Sequence, residues 1–173
     1  MTLEQLEAKF PNGKYWNHPA GSPSNQESWT DTPCTSHSSH NHRILNGACG
    51  CNCFGGLTIQ CEGFALQLQE DAFGEGYGSQ SFQHTQAIRD FQTAMKMLKA
   101  GDVIRFRQTK SVKHSIFITS VDGERIAYAD CNAEGDCRIR WHIEGTKEMF
   151  ADTFLYMDPG KWDLAPLSLS EPV

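Results

Sequence analysis

The spacing of apolar residues changes near position 101, and that change divides the chain. Leu3, Leu6 and Phe10 form a sparse stripe that predicts a short helix over Thr2–Ala8. Thr2 is placed to cap it, with Gln5 three residues on as the second half of a capping box, and Phe10-Pro11-Asn12-Gly13 ends it. From Gly13 to Gly56 neither a period of two nor one of 3.6 is sustained, which predicts a long irregular segment. Cys61, Phe64, Ala65 and Leu68 then share one face of an expected amphipathic helix over Cys61–Gln69, entered through a β-like Leu57-Thr58-Ile59-Gln60. Asp71–Ser81 is rich in Gly and reads as a loop. Ile88, Phe91, Met95 and Leu98 predict a helix over His84–Lys99, closed by Lys99-Ala100-Gly101.

Beyond Gly101 the period shortens. Strands are expected from Val103 through Phe106, over Ser115–Val121 and Arg125–Asn132, and over Ile139–Ile143 and Thr153–Met157. Helices first and antiparallel strands second make the class α+β. Residues 1–56 are expected to pack as a helix and irregular segment on a core formed by residues 57–162, with 163–173 as a tail or linker.

The chain has 173 residues and a formal charge of −6, enough for one domain with its own core and without the basic stripe of a nucleic-acid binder. No apolar run approaches the roughly 18 residues of a membrane span. Thr2–Lys9 is charged and amphipathic, unlike a secretory signal. These features predict a monomer that acts without a cofactor, nucleic acid or membrane span.

The candidate chemistry begins at Cys61. A thiol at a helix start faces unpaired N–H groups and the positive end of the helix dipole, both of which favour the thiolate. A cysteine on an apolar face is otherwise most often a packing residue. His114 is the second candidate, at the border between a polar stretch and the apolar Ser115-Ile116-Phe117-Ile118. Ser120-Val121-Asp122-Gly123 suggests a three-residue hairpin loop closed by Ser120 and Glu124. In that register His114 lies directly opposite Asp130, with Asn132 two residues on along the same face, whereas a two-residue type I′ turn at Asp122-Gly123 would put His114 and Asp130 on opposite faces. Either could accept from the imidazole and fix its orientation, Asp130 being preferred.

These residues carry a resemblance. Gln60-Cys61 at a helix start, Leu98-Lys99-Ala100-Gly101-Asp102-Val103-Ile104, His114 through Gly123, and Tyr128-Ala129-Asp130-Cys131-Asn132 together resemble the CHAP-like and NlpC-like amidases of the papain-like superfamily. The likeness covers about residues 57 to 157. It implies a papain-like fold and a cysteine hydrolase cleaving amide bonds, mostly in peptidoglycan peptides, outside the cell or at the cell wall. It also implies roles: Cys61 as nucleophile, His114 as general base and acid, Asp130 as orienting residue. The family pattern usually has Glu where this chain has Asp130, so the division of labour between Asp130 and Asn132 stays open. The alternatives are a transglutaminase-like acyl transferase on the same triad, or a non-catalytic shell that binds a glycan or a protein partner.

Cys34, His37, His40, His42, Cys49, Cys51 and Cys53 crowd the irregular segment. Their spacings match no zinc motif, so disulfides, a metal or free thiols remain alternatives and no metal ligand is assigned. Cys131 and Cys137 bracket a hairpin end that a disulfide could span. Tyr15-Trp16-Asn17-His18 and Trp29 either cover the core or line a cleft.

Overall fold

The computed structural model describes residues 1–19, 21–34, 41, 44–45, 48–49, 60–74, 85–87, 96–107, 113–150 and 153–156. The first helix, α1 (Leu3–Lys9), has the expected cap: Gln5 N–H donates to the Thr2 hydroxyl, and Thr2 N–H donates to the Gln5 side chain at 2.9 Å. The following segment is irregular but not without pairing. Tyr15 bridges both Thr30 and Arg138, and β1 (Ile44–Leu45) pairs antiparallel with β2 (Ala48–Cys49).

Helix α2 (Gln60–Phe73) runs four residues past the predicted end, into what the sequence suggested was loop. It is also not amphipathic in use, because every residue from Gln60 to Gln69 is buried. The polar ones are paired instead of solvated: Glu62 meets Arg105 at 3.2 Å, Gln67 donates to Asp71, and Gln69 donates to the Gly101 carbonyl at 2.9 Å. A helix enclosed on all sides must satisfy its polar groups this way.

The strands are β3 (Thr85–Ala87), β4 (Val103–Arg107), β5 (Lys113–Asp122), β6 (Arg125–Cys131), β7 (Ile139–Thr146) and β8 (Thr153–Tyr156). Strands β4, β5, β6 and β7 form a four-stranded antiparallel meander, and β8 followed by β3 extends it at the β4 edge. The fold is α+β. Thr85–Ala87 overturns the start of the helix predicted over His84–Lys99, because backbone pairing with β8 overrides the local helical pattern there. Lys96 and Met97 are helical, while Ile88, Phe91 and Met95 lie outside the described residues. So do Leu57-Thr58-Ile59 and the stretch from 157 to 173.

Two clusters cover the sheet. On one face Phe64, Ala65 and Leu68 of α2 pack with Val103, Phe117, Ala129 and Cys131, and with Leu6, Phe10 and Trp16 from the first part of the chain. Phe10 and Trp16 each meet the Phe64 ring edge-on at 5.5 Å. Burying a side chain of that size contributes about 2–3 kcal/mol. On the other face Leu98, Ile104, Ile116, Ile118, Ile126, Tyr128 and Phe150 form the second cluster. The segment before α2 is thus part of the core that also holds α2 and the sheet. Trp16 packs in it, while Trp29 is partly exposed and donates to the Lys9 carbonyl.

A disulfide joins Cys34 to Cys137 across 103 residues of sequence. It overturns the bridge between Cys131 and Cys137, since Cys137 is already taken. Cys131 is a buried free thiol that donates to the Cys137 carbonyl at 3.2 Å. His37, His40, His42, Cys51 and Cys53 lie outside the described residues, and no cluster of metal-binding side chains occurs among the described ones.

Candidate active site

The hairpin that carries His114 and Asp130 differs from the expected one. Asp122 pairs with Arg125, so the connection is the two-residue Gly123-Glu124, with Gly123 at φ 57° in the first central position, where a type II′ turn requires a positive φ. Continued without interruption, that register would set Asp130 against Phe117, on the α2 face and away from His114. It is interrupted. Ser120 pairs with Ala127 but Ile118 pairs with Tyr128, leaving Thr119 as a surplus residue in β5. Beyond this bulge Asp130 faces Ile116. Side chains alternate along a strand, so Ile116 and His114 share a face, and Asp130 joins them as a diagonal neighbour.

A second bulge completes the arrangement. Tyr128 pairs with Ile143 but Asp130 pairs with Arg140, so Trp141 and His142 together oppose Ala129, and His142 takes a left-handed φ of 57°. Without the surplus residue Asp130 would face Trp141. With it, Arg140 stands directly across from Asp130 on the same face.

The contacts follow from these registers. His114 Nε2 and Asp130 Oδ2 are 2.8 Å apart. An ionised carboxylate only accepts, so Nε2 carries the proton and donates it. Arg140 holds the same carboxylate through two bonds, Nε to Oδ1 at 2.8 Å and Nη2 to Oδ2 at 2.5 Å. The His114 ring and the Ser115 backbone both act on the Cys61 thiol and favour its ionised form. With Nε2 engaged by Asp130, Nδ1 is the ring nitrogen left for Cys61. The Phe106 ring meets the imidazole edge-on at 5.8 Å.

Electrostatics separates the two free thiols among the described residues. Burial alone would raise the Cys61 thiol, but the hydrogen bond and charge of His114, the Ser115 backbone and the Arg105 cation outweigh it and leave it lowered. Burial likewise opposes the charged form of His114, yet its hydrogen bonds to Asp130 and Cys61 raise it to about 9. Asp130 resists burial through Arg140 and His114 and stays below the usual carboxylate range. Among the described residues no cation offsets burial at Cys131. Burial, with Asp130 and Cys61 nearby, pushes that thiol well up. The surroundings therefore favour the ionised pair at Cys61 and His114, and the protonated thiol at Cys131.

Of the four residues singled out in the sequence, three come together: Cys61, His114 and Asp130. Asn132 does not. It lies just past β6 at φ 63°, and its Oδ1 accepts from the Cys137 N–H at 2.9 Å, shaping the turn into β7. The direct opposition of His114 and Asp130 inferred from a three-residue loop is replaced by the diagonal relation. Arg140, Arg105 and Glu62 were not anticipated. Arg105 Nη1 donates to the Ser115 hydroxyl at 3.0 Å and meets Glu62, so a buried ion pair lies directly behind the residues that contact Cys61. Alternation with the apolar Ile139 and Trp141 was the one sequence signal that could have put Arg140 on the Asp130 face.

Comparison with protein-family models, with curated proteins and with solved structures gave no match. No helix among the described residues is long and apolar enough to cross a membrane.

Proposed function

We propose that the protein is a papain-like cysteine hydrolase that cleaves amide bonds through an acyl-thioester intermediate, with peptidoglycan peptides as substrate. The observation that carries this reading is the grouping of Cys61, His114 and Asp130, in which Asp130 holds His114 at 2.8 Å and His114 lowers the Cys61 thiol. The Cys61 thiolate attacks the scissile carbonyl. Backbone N–H groups at the start of α2, and the Gln60 side chain, stabilise the resulting oxyanion. The His114 imidazolium passes its Nδ1 proton to the leaving amine as the tetrahedral intermediate collapses. The neutral ring then takes a proton from the water that attacks the thioester and keeps it as the acid leaves and Cys61 departs as the thiolate. No cofactor takes part. The Cys34–Cys137 disulfide supports an extracellular or cell-wall location, since disulfides persist in oxidising compartments.

Burial of Cys61, His114 and Asp130 favours a second reading on the same triad, in which an amine rather than water releases the acyl group. Clearing of a purified peptidoglycan suspension by the wild type, absent in Cys61→Ala, tests the first reading. Incorporation of a labelled primary amine into the released peptides tests the second. Equal turbidity loss in wild type and Cys61→Ala would reject the cell-wall assignment.

A further inference from the structure

We propose that Arg140 is a positioning residue of this site, acting on His114 through Asp130. The inference rests on the reading of Cys61 as the nucleophile. Asp130 is fully buried, and its Oδ2 is shared between His114 Nε2 and Arg140 Nη2 while Oδ1 receives Arg140 Nε. A carboxylate held by one bond to His114 could rotate about its own axis. The two-pronged guanidinium removes that freedom and fixes the plane from which the imidazole is held. The bulge at Trp141-His142 exists in a strand that would otherwise offer Trp141 to Asp130, so the fold departs from a regular register at the point that delivers this contact. An ordinary exposed ion pair contributes little. This one neutralises a buried charge, with about a third of the Arg140 side chain exposed and the whole of Asp130 enclosed.

Among the described residues the charged and titratable groups that act on the unit are few. Asp130 and Tyr128 on β6 and Glu134 in the following turn act on Arg140, Cys61 and Asp130 act on His114, and Arg105 on β4 acts on Cys61. Removing the Arg140 cation therefore makes every protonated form in the chain from Asp130 to Cys61 easier to keep.

The test is the pH profile of iodoacetamide alkylation at Cys61, read peptide by peptide so that Cys131 is counted separately, for wild type, Arg140→Gln, Arg140→Lys and His114→Ala. In Arg140→Gln the acid limb of the Cys61 profile is expected to move to higher pH by about half a unit or more. Peptidoglycan turnover is expected to fall about tenfold, as for outer-shell partners of reactive groups. Arg140→Lys keeps the charge but not the fork, so it should restore the limb and leave turnover reduced. An Arg140→Gln profile that superimposes on the wild type, with only the melting temperature lowered, would assign Arg140 a purely structural part and overturn the proposal. If Arg140→Gln does not fold, Arg140→Lys carries the test, and full turnover in it is the overturning result. Wild-type Cys61 reacting no faster than Cys61 in His114→Ala rejects the nucleophile itself, a failure distinct from that of Arg140 alone and one that takes this proposal with it.

Discussion

His114 and Asp130 meet as diagonal neighbours across β5 and β6, 2.8 Å apart, although the turn that joins these strands starts a register that would separate them onto opposite faces. Asp130 is then the only carboxylate hydrogen-bonded to the imidazole among the described contacts. Asp130→Ala should lower the Cys61 alkylation rate near neutral pH and reduce amide hydrolysis by about 10²-fold or more, by analogy with loss of the orienting acid in other triads. Asn132→Ala should leave both within a few-fold of wild type. Comparable losses in the two variants would show that the orienting residue has been misassigned.

Thr119 offers a sharper test of the register. The surplus belongs to β5 alone, so deleting Thr119 leaves Ile118 opposite Tyr128 and Ser120 opposite Ala127 as consecutive rungs. The pairing of β5 with β4 begins at Phe117 and is untouched. The deletion variant should fold, and Cys61 should alkylate within a few-fold of the wild-type rate, with the hairpin tip less twisted. A folded deletion variant with an unreactive Cys61 would contradict the pairing described above.

Asp102 predicts a pH dependence of stability. Its Oδ2 accepts the Lys99 N–H at 2.9 Å, its Oδ1 is buried without a hydrogen-bond partner, and burial pushes the group up to about 7. The folded state therefore holds a proton that the unfolded chain releases near pH 4. This contribution is fully present below about pH 4 and is lost as pH rises to about 7, a change on the order of 4 kcal/mol. His114 is also raised, but its loss falls higher, between its ordinary value near 6.5 and about 9. Urea midpoints of wild type should fall between pH 4.5 and 7, and those of Asp102→Asn should fall much less. Parallel curves for the two proteins would assign the slope to other groups.

Gly101 joins α2 to the sheet. Its φ of 94° disfavours any side chain, and a Cβ there would fall onto the Phe73 ring at the end of α2. Gly101→Ala should cost about 1–3 kcal/mol, and combining it with Phe73→Leu should recover the steric part while the backbone strain remains. A double-mutant cycle with no coupling would remove the contact from the account.

The α1 cap, the start of α2 and the five strands after Gly101 were legible because each leaves a local mark: Thr2 with Gln5, the spacing from Cys61 to Leu68, and alternation from Val103 onward. The papain-like assignment is a different matter, resting on motif resemblance that the α+β architecture accommodates. What the sequence concealed depends on partners far along the chain. Neither bulge has a composition signal, because Thr119 and His142 look like any strand residues until their neighbours are paired. Thr85–Ala87 is strand only because Thr153–Tyr156 lies beside it. The pairing of Cys34 with Cys137 could not be chosen among seven cysteines by counting. The grouping of Cys61, His114 and Asp130 was therefore readable in its residue types and unreadable in its register, and Arg140 was missed for the second reason.

The Cys34–Cys137 bond sets a practical conflict for anyone who handles this protein. Reducing agents are routine for keeping a reactive thiol such as Cys61 from oxidising during purification. The same reagents can open the bridge that ties the segment before α2 to the turn between β6 and β7, a closure over 103 residues of the size that stabilises a chain by about 4–5 kcal/mol. Trp16, which donates its backbone N–H to the Cys137 carbonyl and rests on Phe64, is held from the same side. Preparations kept in strong reductant and preparations kept without it could therefore differ in activity for opposite reasons, one through a loosened clasp and the other through a blocked thiol.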